Sequence, residues 1–266
     1  MTEIQILVLA IVQGSTEFLP ISSSGHLILA PHLFGFTDQG LSFDVAVHLG
    51  SLLAVLGYFR RDVLVIATAW IEASFFGRAT TQHSRLGWAI ILGTLPVVCF
   101  GLLLKDVVET DLRAPWVIAL ASIGFGLLLG IVDTKASRTR PIDTLTLRDA
   151  LLIGVAQVLA LIPGTSRSGI TMTAGLALGF NRETAARFSF LLAIPTILAS
   201  STLVTVDLLK QAAPVDWQSL SLGVGLSAVS AYLAIYLFLR VIERIGMWPF
   251  VAYRVALGVL ILWVIY

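Results

Sequence analysis

The chain has 266 residues, 57% of them hydrophobic and only 12% charged, whereas a soluble domain carries about 25% charged residues. Together with a mean hydropathy of +0.93, this excludes a water-soluble globule and makes the chain an integral membrane protein. Seventeen basic residues nearly cancel sixteen acidic ones, which excludes a nucleic-acid partner and disorder, and the lone Cys99 excludes a disulfide framework.

Met1-Thr2-Glu3 has no basic n-region, so no cleaved signal peptide is expected. The first apolar region, Ile4 to Phe36, is interrupted by Glu17, Pro20, three serines and His26. Phe43–Phe59 comes close to the roughly 20 apolar residues that cross the hydrocarbon core. Asp62–Phe76 is placed as an interfacial or tilted segment. Leu86–Leu104 and Pro115–Val132 are the next spans. A second broken region, Ala150 to Phe180, contains Pro163, Gly164, Ser166, Arg167, Ser168 and Gly169. Arg187–Val206, Leu220–Leu239 and Trp248–Tyr266 complete six transmembrane helices. Each half of the broken regions is only about 9–14 residues long, the length of a re-entrant half-helix.

Positive charge sets the orientation. Loop 60–85 holds Arg60, Arg61, Arg78 and Arg85, and loop 133–149 holds Lys135, Arg138, Arg140 and Arg148, so both lie on the cytoplasmic side. Loops 105–114 and 207–219 are poorer in net positive charge and lie outside. The parity then makes 150–180 re-entrant from the cytoplasm and 1–36 re-entrant from outside.

The two broken regions resemble each other. Gln13-x11-Gly25 matches Gln157-x11-Gly169 at an offset of 144, with Ser22 and Ser24 falling on Ser166 and Ser168. The expected fold is a single all-α integral membrane domain, 1–266, of six transmembrane helices plus two re-entrant helical hairpins. Its first repeat is 1–132, with the hairpin at 1–36. Its second is 150–266, with the hairpin at 150–180, inserted upside down. Inverted repeats of this kind bring broken helices together near the bilayer midplane and bind ligands there.

An ionisable group inside the membrane costs about 2.5–3.5 kcal/mol on insertion scales and marks function by default. The first loop offers Glu17, Ser22, Ser23, Ser24 and His26. The second offers Ser166, Arg167 and Ser168, with Gly164 and Gly169 expected to leave backbone N–H groups free for a ligand. Hydroxyls, free N–H groups and an arginine fork form a donor set for phosphate oxygens. His26 can act as base or nucleophile, with Ser23 or Ser24 as the hydroxyl it activates. Glu17 can orient His26, pair with Arg167, or hold a divalent cation, Mg²⁺ or Ca²⁺, together with substrate oxygens. Close helix packing is the competing role for Ser22 and Ser168. His48 and Arg254 are supporting candidates, while Asp44, Arg187 and Trp248 are expected to anchor at the membrane interface.

The motifs Gly14-Ser15-Thr16-Glu17-Phe18-Leu19-Pro20-Ile21-Ser22-Ser23-Ser24-Gly25-His26 and Pro163-Gly164-Thr165-Ser166-Arg167-Ser168-Gly169 resemble the two signatures of the bacitracin-resistance family of undecaprenyl-diphosphate phosphatases. Arg187–Leu192 and Val47-His48-Leu49-Gly50-Ser51 are similar too. The resemblance covers essentially the whole chain. It implies removal of the terminal phosphate from a C55 polyprenyl diphosphate, which recycles the lipid carrier of cell-wall synthesis and confers bacitracin resistance. It also implies a bacterial inner-membrane location and a site facing the periplasm. Carried over residue by residue, it makes Glu17, Ser23, His26 and Arg167 catalytic. Ser22, Ser24, Gly164, Thr165, Ser166, Ser168 and Gly169 are then substrate-binding. Members commonly carry a second Glu where this chain has Gln13, which counts against a two-carboxylate metal site. The leading expectation is Ser23 as nucleophile with His26 as its base; phospho-His26 and direct water attack stay open, as does a homodimer. The rival reading is a polyprenyl-phosphate transporter or flippase using the same loops.

Overall fold

A computed structural model of the chain describes residues 1–36, 40–110, 112, 114–209 and 216–265. The described residues form helices and no strand; one isolated bridge pairs Arg140 with Phe180. The helices are α1 (Glu3–Glu17), α2 (Ser23–Phe34), α3 (Gly40–Tyr58), α4 (Arg60–Phe75), α5 (Gln82–Leu103) and α6 (Lys105–Thr110). They continue with α7 (Pro115–Lys135), α8 (Leu147–Val158), α9 (Arg167–Ala177), α10 (Arg182–Leu209), α11 (Trp217–Ile245) and α12 (Trp248–Ile265). Five helices, α5, α7, α10, α11 and α12, are long and apolar enough to cross a membrane, and α3 with α4 makes a sixth span if that bent pair is counted as one.

Helix ends follow capping chemistry rather than the apolar run. Thr81 and Ser84 form a reciprocal capping box, so α5 starts before Leu86. The Asn181 side chain accepts from the Thr184 N–H at 2.7 Å and starts α10 ahead of Arg187. Asp216 caps α11 through the Ser219 N–H, and Gly246, at φ 69°, ends it. Hydropathy detects only the apolar middle of each of these helices.

The segment expected to be interfacial or tilted, Asp62–Phe76, is helix α4, turned 80° from α3. An ion pair holds the turn: Arg187 Nη2 on α10 lies 3.0 Å from Asp62 Oδ2, with its guanidinium 5.5 Å from the Phe59 ring centroid. Arg187, expected as an interface anchor, is thus a tie between helices.

α1 packs on α11, and α8 packs on α5. α3 likewise lies against α11, and α10 against α5, while α3–α10 and α7–α12 pair across the middle. The contacts need small residues. A Cβ on Gly14 would collide with the Ser227 carbonyl and Ser230 of α11, and one on Gly154 with the Gly93 backbone of α5. Between these layers lies an aromatic core of Phe18, Phe59, Phe190 and Phe238, in which Phe18 and Phe190 meet edge-on at 5.3 Å. Phe18 directly follows Glu17, so the core fixes the place where α1 stops.

Candidate active site

Both short helix pairs break in the same way. α1 ends at Glu17 and the chain restarts as α2 at Ser23; α8 ends at Val158, makes one 3-10 turn over Leu159–Leu161, and restarts as α9 at Arg167. The residue before each restart is a serine with positive φ: 69° at Ser22 and 68° at Ser166. A non-glycine residue held there costs of order 1–3 kcal/mol and persists only where its surroundings hold it. The hydroxyls do the holding. Ser22 Oγ accepts from the Gly25 N–H at 3.3 Å and lies 3.1 Å from Ser24 Oγ. Ser166 Oγ accepts from the Gly169 N–H at 3.1 Å and lies 3.2 Å from Ser168 Oγ.

The loops are also bonded to each other. The Gly164 N–H donates to Ser24 Oγ at 3.1 Å, and Ser168 Oγ donates to the Leu19 carbonyl at 2.8 Å. Gly164 has φ 93° and is pressed against the Ile118 backbone of α7, where no Cβ fits. Behind the second loop, Arg254 of α12 is fully buried. Its Nη2 donates to the Gly164 and Thr165 carbonyls at 3.0 and 2.8 Å, and its Nε to the Ser122 carbonyl at 3.1 Å.

Glu17 is the electrostatic centre. Its Oε1 accepts from Arg167 Nη2 at 3.0 Å, while Oε2 accepts from Ser23 Oγ and Gln13 Nε2, each at 2.9 Å. Side-chain exposure is 9% for Glu17 and 11% for Arg167. A buried pair is retained only with good geometry and further hydrogen bonds, and here Arg167 Nη1 also donates to the Ser189 carbonyl at 3.1 Å. His48 of α3 places Nε2 3.9 Å from Glu17 Oε2.

These groups face a cavity of about 760 Å³, within the usual range of small-molecule sites. Glu17, Ser22, Ser23, Ser24, Ser166 and Arg167 all line it, so the structure brings six of the sequence-derived candidates to one place. The rest of the wall is mostly apolar, with Val97 and Leu102 on α5 and Ile197 and Val206 on α10, and Lys105 at one end.

Other candidates sit differently. Gly164, Thr165, Ser168 and Gly169 do not line the cavity. The N–H groups of Gly164 and Gly169, expected to be free for a ligand, are taken by Ser24 Oγ and Ser166 Oγ. These residues build the loop that presents Ser166 and Arg167. The expected pairing of His26 with Ser23 is also not the one formed. His26 Nδ1 lies 2.7 Å from the Ser22 carbonyl and Nε2 lies 2.7 Å from the Tyr253 hydroxyl. The two rings stack with centroids 5.4 Å apart. Both ring nitrogens are thus engaged, and Ser23 bonds to Glu17 instead. Tyr253 had no signature in the sequence, whereas Gln13, four residues before Glu17, sits one helical turn from it, a spacing that brings the two side chains together.

As a cation ligand, Glu17 fits poorly. Both of its oxygens are occupied by the chain's own donors, and no group of three or more His, Cys, Asp or Glu that could hold a metal exists among the described residues. The donor set does not build a protein-held cation site.

Comparison with known proteins matches nearly the whole chain. The family model described as "Bacitracin resistance protein BacA" matches residues 6–260. The chain is 58% identical over 259 residues to "Undecaprenyl-diphosphatase 1" of Pseudoalteromonas translucida (strain TAC 125), covering 97% of each. It is 59% identical over 262 residues to "Undecaprenyl-diphosphatase 2" of Stutzerimonas stutzeri (strain A1501), again covering 97% of each. It is 56% identical to "Undecaprenyl-diphosphatase" of Alteromonas mediterranea over 266 residues, all of both chains. With nearly its full length matched, the chain belongs to the bacitracin resistance protein BacA family.

Proposed function

We propose that this protein is a membrane phosphatase that hydrolyses undecaprenyl diphosphate to undecaprenyl phosphate and phosphate. It thereby recycles the lipid carrier of cell-wall synthesis and confers bacitracin resistance. The observation that carries the reading is the Ser23 hydroxyl 2.9 Å from Glu17 Oε2, with Arg167 on the other oxygen of the same carboxylate. A transporter needs the arginine and the hydroxyls; it does not need a hydroxyl already set on a base. The names of relatives 56–59% identical over nearly the whole chain support the same activity.

Ser23 Oγ attacks the terminal phosphorus, and its proton passes to Glu17 Oε2. The bond from that phosphorus to the bridging oxygen breaks, and the lipid monophosphate leaves. Catalysis here is positioning and charge stabilisation. Arg167 Nη2, now on Glu17 Oε1, is the donor that an incoming phosphate takes over, and Arg167 opens α9, whose N-terminal end favours negative charge. His26 acts from behind: its bond to the Ser22 carbonyl steadies the backbone that presents Ser23. A divalent cation, Mg²⁺ or Ca²⁺, would on this reading come with the diphosphate rather than be held by the chain, and would supply charge neutralisation.

The inverted repeat with two re-entrant hairpins is part of the proposal. It is supported by matched breaks at Ser22 and Ser166 and by exchanged contacts, α1 on α11 against α8 on α5. An inner-membrane location with the site open to the periplasm is supported by the course of the cavity. It is lined along α10 from Thr196 to Val206, about 15 Å at 1.5 Å per residue, and by Lys105 and Val108, whose loop the charge count puts outside. The apolar wall between α5 and α10 suits the first units of the polyprenyl tail, the remainder lying in lipid. One chain carries both loops, so a homodimer is compatible with the site but not needed to complete it.

The test is phosphate release from a polyprenyl diphosphate by the purified protein in detergent, beside Ser23→Ala and Arg167→Ala. Release by the wild type and its loss in both variants is expected. Unchanged release from Ser23→Ala would remove it as nucleophile. Binding of lipid without release by the wild type would favour a transporter.

A further inference from the structure

Resting on that reading, we infer that His48 is a further catalytic residue: the general base of the step that frees the phosphate from Ser23. His26, the histidine in the signature motif, has both ring nitrogens engaged outside the cavity. His48 is the histidine that lines it. Its Nδ1 lies 2.7 Å from the Asp44 carbonyl one turn earlier. A carbonyl only accepts, so Nδ1 carries a proton and Nε2 is the ring nitrogen left to face the cavity, the atom that would take a proton from water. Nε2 lies 3.9 Å from Glu17 Oε2, the oxygen that Ser23 Oγ meets at 2.9 Å. Nε2 and Ser23 thus flank one carboxylate oxygen, within the reach of a base acting directly or through one water.

The chemistry needs such a group. In the first step Glu17 takes the Ser23 proton and becomes neutral, so it cannot at once take a second proton from water. Among the described residues of the cavity wall, the other charged side chains are Lys105 and Arg167, both ordinarily cationic and neither a base in that state. Gln13, buried against Glu17, has no basic atom. In the second step a water oxygen attacks the phosphoserine phosphorus while His48 Nε2 takes one of its protons. The bond from phosphorus to Ser23 Oγ breaks, and Glu17 returns its proton to that oxygen. Phosphate departs, and protonated His48 gives its proton to solvent through the open cavity. Among the described residues, the charged groups that share the cavity with His48 are Glu17 from α1, Arg167 from α9 and Lys105 from α6, and Asp44 lies one turn before it on α3. α11 meets α3 through neutral Ser227 and the Val224 backbone, and α10 faces the cavity with Thr196, Ile197 and Ser200.

The experiment compares phosphate release by wild type, His48→Gln and His48→Ala across pH in detergent, with mass analysis of the acid-quenched protein. Gln keeps the volume and polarity of the ring without its basicity. The expected result is a loss of about 10²–10⁴-fold in kcat for His48→Gln, with KM falling alongside it and kcat/KM little changed, because the first step is untouched. Phosphorylated Ser23 should accumulate, the limb of the kcat profile lost as pH falls through the imidazole range should disappear, and imidazole should restore turnover to His48→Ala. A His48→Gln enzyme that keeps its turnover, or that slows while the limb remains and Ser23 stays unphosphorylated, would overturn the assignment. The wild-type lane reports separately on the hydrolase reading: a wild type that releases no phosphate takes that reading down first, and His48 with it.

Discussion

A single carboxylate, Glu17, organises the site. Its pairing with Arg167 uses the guanidinium as a fork, one arm on Glu17 and one on the Ser189 carbonyl. Lysine keeps the charge and loses the fork. We therefore expect Arg167→Lys to cut kcat by about 10²-fold or more, the usual cost of one misplaced donor to developing charge, as read by phosphate release. Gln13 sits on the same carboxylate, one helical turn before it. Gln13→Glu places two carboxylates where one stands and asks for a cation between them. Phosphate release by Gln13→Glu should respond to added Mg²⁺ or Ca²⁺ at about tenfold lower concentration than any response of the wild type, since ligand charge tunes cation affinity. An unchanged cation response would mean that Gln13 lies outside the path of any metal.

The short helices show how much of the site could be read from the chain and why the rest could not. The serines before each restart and their common offset are written in the sequence, and the structure gives both the same backbone turn. That the Gly164 and Gly169 N–H groups are spent on Ser24 and Ser166 is a matter of tertiary closeness, which no periodicity reports. Nor does spacing reveal that His26 reaches Tyr253 on the last helix. The helix starts at Gln82, Arg182 and Trp217 escaped a hydropathy reading because polar caps place them outside the apolar run. The turn at Ser166 carries its own prediction. Ser166→Ala loses the cap and leaves a Cβ at φ 68°, whereas Ser166→Gly loses the cap alone. Melting in detergent should place the glycine variant above the alanine one by about 1 kcal/mol. The reverse order would show that the turn is not strained.

The assembled protein makes a claim about sidedness. With Cys99 replaced by Ser, a cysteine at Ser137 should react with an impermeant maleimide only from the cytoplasmic side. One at Val108 should react only from the periplasm. Reaction of both from one side would dismantle the inverted arrangement, and with it the outward opening of the cavity. Arg182 holds Asp133 at 2.7 Å, tying the start of α10 to the end of α7.

The exchange of packing partners has a consequence for how the protein can be divided. α1, which ends at Glu17, rests on α11, and α8, which leads to the arginine loop, rests on α5. Each half thus carries the scaffold of the other. A chain severed within 136–146 would yield two pieces, neither of which retains the surface its own broken helix leans on. Expressed alone, each should be degraded or inactive. Expressed together, they should rejoin through the Gly14 and Gly154 contacts and regain turnover, although each supplies only one of the two loops.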